Sequence, residues 1–181
     1  MKQILFVSLL VFIVSNNLRN LAAYNWSGVY TQLVARHNTL RAKHKAGKLT
    51  TVSALASLSQ TVANGCAAKG GLNHMRQTYG GQYVGQNLYG SGSSSGVGPT
   101  GAQIADSWYN EYKDYDFAKG ASKNGKTIGH FTQLVWASTK QIGCAYAVGK
   151  YGGTKMTGFF ICCDYFPAGN VQGYYTKNVF K

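Results

Sequence analysis

Two adjacent cysteines, Cys162 and Cys163, stand in the run TGFFICCDY, which reads as a strand. Neighbouring side chains on a strand point to opposite faces. A bridge between the two would strain the backbone, so each requires a separate partner. Cys144, in QIGCAYAV, lies on the preceding strand-like run, and GKYGGT between them can turn the chain. Cys66 is the fourth cysteine. The expectation is one bridge within this hairpin and one from the hairpin to Cys66, out of three possible connectivities.

Paired cysteines imply an oxidising compartment, and the start of the chain agrees. Lys2 precedes the apolar run Ile4 to Val14, which is too short for the roughly 20 residues of a spanning helix. It reads as a secretory signal over residues 1–23, with Ala22-Ala23 at the cut, Tyr24 as the mature start, and a single domain over residues 24–181. The protein is expected outside the cell.

Of the 181 residues, 18 are Lys or Arg and 5 are Asp or Glu, a formal net charge of +13 that falls only by two when Lys2 and Arg19 are removed. In an exported chain this basic field favours an acidic membrane or cell surface over nucleic acid. Hydrophobic residues make up 45% and charged residues 13%, which excludes a disordered tail.

Helical spacing recurs at three places. A first helix, capped by Ser27, is expected to run to about Lys45, with Val29, Leu33 and Leu40 in one row. His37 and His44 continue that row and read as hydrogen-bonded core groups. A second, about Ala54 to Lys69, turns Cys66 toward the core. A third, about Ala102 to Tyr112, sets Ile104, Trp108 and Glu111 on one face, so the carboxylate needs a specific partner. Between the last two, GSGSSSGVGPTG from Gly90 to Gly101 is expected to be a mobile loop, and its GSSSG lacks the strand-turn-helix setting of a nucleophile elbow.

GHFTQLVWAST at Gly129 to Thr139 and CCDYFPAGN at Cys162 to Asn170 resemble the paired signatures of the CAP superfamily, which comprises cysteine-rich secretory proteins, antigen 5 and pathogenesis-related class 1 proteins, with sterol-exporting fungal members. RHNTLRAKHKAG, VGQNLY and SWYNEYKDYDF extend the likeness over the mature chain. It departs at Asp164, where small polar or basic residues are usual.

The resemblance implies an α+β fold, a three-layer α-β-α sandwich around a mainly antiparallel sheet, and a Cys144–Cys163 bridge. Cys66 with Cys162 then completes the second pair. It also implies a cleft of two histidines and two acids, which on this chain are His74, His130, Glu111 and, where the acid of the GENL motif would stand, Gln86. Two imidazoles facing one hollow suit zinc or copper, oriented by carboxylates. An amide at position 86 removes one negative charge and predicts weaker metal binding.

Most members are not established enzymes, so no catalytic residue is assigned. A metal-dependent hydrolase using Glu111 as base is the third reading. The first is a binding protein for a sterol or fatty acid. In the fungal members the sterol-binding loop follows the WYNE segment, which places Trp108, Tyr109, Tyr112, Tyr115 and Phe117 at the ligand. The second is recognition of an extracellular protein in defence. Asn25, in the sequon Asn25-Trp26-Ser27, is the glycan candidate.

Overall fold

A computed structural model describes residues 24–181. The proposed signal, residues 1–23, lies outside the described residues. Among those described, no helix is long and apolar enough to cross a membrane.

The first helix, α1 (Trp26–Lys43), starts two residues earlier than expected. Asn25, not Ser27, is its cap, its Oδ1 accepting a hydrogen bond from the Gly28 N–H at 3.1 Å. The helix ends at His44, and Lys45 reverses the chain at φ 56°. A short strand β1 (Thr50–Thr51) leads into α2 (Ser53–Lys69), which stops at the left-handed Gly70, φ 69°. The small hairpin β2 (Thr78–Tyr79) and β3 (Gln82–Tyr83) precedes the long strand β4 (Gly85–Ser93).

Then come α3 (Gly101–Tyr109), held by a capping box of Thr100 and Gln103, a 3-10 turn over Asn110–Asp114, and the ribbon β5 (Tyr115–Asp116) with β6 (Ala121–Ser122). The chain closes with α4 (Gly129–Val135), β7 (Gln141–Lys150), β8 (Thr157–Phe166) and the single turn α5 (Tyr175–Asn178).

The main sheet has the order β1-β7-β8-β4, antiparallel except for the parallel β1–β7 pair. The alternation of β8 sorts its side chains into two cores. Phe159, Ile161, Cys163 and Tyr165 join Leu33, Leu40, Ile104, Trp108, Phe131 and Trp136 beneath α1, α3 and α4. Phe160 and Cys162 face the other way, against Val62, Ala63 and Cys66 of α2. This is the expected three-layer α-β-α sandwich.

Cys144 and Cys163 are cross-strand partners and form a bridge. The second expected bridge is not made: Cys66 and Cys162 are buried free thiols. They share one core, yet each is engaged elsewhere. Cys66 Sγ accepts from the Asn73 N–H at 3.3 Å, while Cys162 Sγ lies 3.9 Å from Asp164 Oδ1.

The glycine-serine segment is also more ordered than expected. Residues Gly85–Ser93 pair with β8 along their whole length, to Ser93 opposite Thr157. Further on, Gly98 sits where a Cβ would meet the rings of Tyr24 and Phe159 at 2.4 and 2.6 Å, and Tyr24 donates to Pro99 O at 2.8 Å. Only a glycine permits that approach.

Candidate functional site

Glu111 stands on the 3-10 turn that tightens the end of α3, and from there its carboxylate closes onto the first turn of α4. Oε2 accepts from the backbone N–H groups of His130 at 2.9 Å and Phe131 at 3.1 Å, and Oε1 takes Nδ1 of His130 at 2.7 Å. Both N–H groups belong to the unpaired set at a helix start, which a carboxylate satisfies well. All the acceptor capacity turned toward His130 is therefore spent on holding it. The Trp108 ring lies nearly parallel to the His130 ring, 6.4 Å between centroids, and Trp108 Nε1 donates to Leu88 O at 2.8 Å.

The second histidine forms a matching pair. His74 Nδ1 is 2.9 Å from Gln86 Oε1, and unlike His130 it is exposed. The two pairs are joined through β4: Gln86 serves His74, and its neighbour Asn87 donates to His130 O at 3.0 Å. Behind Gln86 stands Asp164, a residue with no assigned role in the sequence reading. Gln86 Nε2 donates to Asp164 Oδ1 at 2.9 Å, and burial pushes the Asp164 carboxyl up to about 6.

Toward a zinc or copper ion the site presents its two imidazole edges. With each Nδ1 occupied, the pairs offer two imidazole Nε2 atoms, and among the described residues no group of three or more His, Cys, Asp or Glu is placed to hold a metal ion. An ion held by those two nitrogens would take the rest of its shell from water.

The other two histidines are core groups, as expected. His37 bridges Leu33 O and the Tyr165 hydroxyl at 2.8 Å each, and burial pushes its imidazole down to about 4. His44 spans Phe180 O at 2.6 Å and the Tyr109 hydroxyl at 3.0 Å. Beside them Arg41 is buried without a carboxylate, its guanidinium donating to the carbonyls of Gly47, Leu134, Trp136 and Thr139.

The five aromatic residues expected at a ligand divide sharply. Trp108 and Tyr115 are core residues, 3% and 0% exposed, so their rings are unavailable at the surface. Tyr109 and Phe117 are half-buried, packed with Phe131 and His44, and Tyr112 is exposed. Together they brace the base of the loop that follows. Beyond them lies a hollow of about 420 Å³, between Lys119–Ser122 and Gln172–Thr176, with Ile128 and Tyr175 in its wall. Asn25 keeps its side chain at the surface while capping α1.

A three-layer sandwich with two histidine pairs hung from α4 and β4 defines the CAP class. Residues 34–165 match the family described as cysteine-rich secretory protein family (CAP), and the chain belongs to it. It is 40% identical over 150 residues to Protein PRY2 of Saccharomyces cerevisiae, covering 82% of this chain but only 40% of that protein. It is 32% identical to the Golgi-associated plant pathogenesis-related protein 1 of Homo sapiens, over 83% of this chain and 91% of that one. Among solved structures, Schistosoma mansoni venom allergen-like protein 4 superposes with a TM-score of 0.54 at 23% identity, over 77% of this chain and 87% of that chain. MpPR-1i gives 0.57 at 19%, over 84% and 95%.

Proposed function

We propose that this protein binds one small, mostly apolar molecule, a sterol or a fatty acid, outside the cell, and performs no chemistry on it. The observation that carries this reading is the hollow between the 119–122 loop and the 172–176 segment. Its volume of about 420 Å³ falls within the ~300–1,000 Å³ range of small-molecule sites. Ile128, Ala121 and Tyr175 supply apolar wall, and Lys119, Ser122, Gln172 and Thr176 line a comparable share of it with polar groups. The aromatic brace of Tyr109, Phe117 and Phe131 holds the loop's base. The three bonds of Glu111 account for its carboxylate as the holder of His130 and of the first turn of α4, a role that needs no proton transfer.

Uptake of radiolabelled cholesterol and of palmitate by the purified protein tests the reading. Ala121 is exposed on the lip of the hollow, so Ala121→Trp fills it without touching the core. Loss of uptake at unchanged melting temperature is expected. Uptake equal to wild type, or none by either protein, overturns the proposal.

A further inference from the structure

We infer that Asp164 is the positioning residue for His74: through the side-chain amide of Gln86 it fixes which ring nitrogen faces solvent. Gln86 and Asp164 are directly opposed in the β4–β8 register. The amide is used completely. Its Nε2 donates to Asp164 Oδ1 at 2.9 Å and to Met75 O at 3.3 Å, and its Oε1 receives Met75 N–H at 3.2 Å and His74 Nδ1 at 2.9 Å.

A carboxylate only accepts hydrogen bonds, so the nitrogen end of Gln86 must turn toward Asp164 and the carbonyl end toward His74. Nδ1 of His74 then carries the proton. Its Nε2 is left as an unprotonated acceptor at the open side of the ring.

Asp164 is rigid enough for this role. It is 0% exposed, its Oδ2 accepts from Ser59 Oγ at 2.9 Å, and its own N–H donates to that hydroxyl at 3.0 Å. The side chains that contact it are neutral: Gln86 from β4, Ser59 from α2 and the Cys162 thiol from its own strand.

A corollary follows for position 86. A glutamate there would bring a second carboxylate oxygen to within hydrogen-bonding distance of Asp164 Oδ1, and two such groups share one proton rather than ionise together. Positions 86 and 164 thus hold one negative charge between them. The assignment is independent of the ligand proposed above.

Long-range 1H–15N NMR of His74 in the whole chain, with urea unfolding of four variants, tests this. Wild type should show the Nδ1–H tautomer. Asp164→Leu should admit a visible Nε2–H population. At neutral pH, Gln86→Glu should lower the folding equilibrium constant by about tenfold or more, since the two carboxylates couple by more than about one pK unit. Gln86→Glu combined with Asp164→Asn should recover to within about threefold of Asp164→Asn alone and keep the Nδ1–H tautomer. The inference is overturned by an Nε2–H tautomer in wild type, by a folded Asp164→Leu with an unchanged ring, or by a Gln86→Glu penalty that Asp164→Asn does not relieve. If Asp164→Leu fails to fold, the two Gln86→Glu proteins decide the matter alone.

Discussion

Replacing Asp164 by asparagine should convert a pH-dependent stability into a flatter one. Burial raises the carboxyl to about 6 from its ordinary 3.8. The folded state therefore holds this proton more tightly than the unfolded chain does. The resulting stabilisation is fully present below the unfolded value and is lost as pH rises through the folded one. A difference of about two units corresponds to roughly 3 kcal/mol, removed across the window from about pH 4 to about pH 6.

Asparagine has the same shape and no charge. Its Oδ1 can keep the Gln86 donor, and its Nδ2 can donate to Ser59 Oγ once the single hydroxyl proton, which has both Asp164 Oδ2 and Gly143 O within reach at 2.9 and 2.8 Å, turns to Gly143 O. No buried group need be orphaned. His37 titrates with the opposite sign: burial lowers it to about 4, so its contribution is present above about 6.5 and lost as pH falls. It is common to both proteins and cancels in their difference. Urea unfolding of each protein at a series of pH values gives that difference directly. It should shift by roughly 3 kcal/mol in favour of Asp164→Asn between about pH 4 and about pH 7. Parallel curves through the window would refute the reasoning.

Other perturbations test the remaining features. Glu111→Ala orphans two backbone N–H groups and the His130 ring, and a loss of roughly 3 kcal/mol or more is expected by thermal unfolding, with Glu111→Gln milder. Arg41→Met leaves four carbonyls without their donor and should cost at least about 3 kcal/mol in denaturant titration. Iodoacetamide mass labelling should add two groups to the unfolded, unreduced protein and none to the native one, because Cys66 and Cys162 are buried thiols; no labelling after unfolding would show them bridged.

Much of the architecture was legible because its signals are local. The alternation of TGFFICCDY separated Cys162 from Cys163, and the structure delivers them to different cores. The row of α1 assigned His37 and His44 to hydrogen-bonded core positions, where they lie. What was not legible depends on three-dimensional neighbours. Trp108 and Tyr115 look like ligand-facing aromatics in sequence, yet the 3-10 turn after α3 rotates that segment and drives Tyr115 inward. Cys66 and Cys162 share a core, but hydrogen bonds to Asn73 and Asp164 occupy thiols that cysteine counting alone would join. The relation of Gln86 to Asp164 spans 78 positions. The one available clue was that both depart from the same family pattern, and only strand register shows that the two departures meet.

The histidine pairs differ in what else depends on them. The bonds that aim His130 are also the bonds that start α4, so any change there is felt by the whole fold. His74 hangs on an exposed segment by the Gln86 amide, which ties Met75 of that segment to β4 as well. The first anchor is thus masonry of the fold, and the second ties down a strip of surface chain.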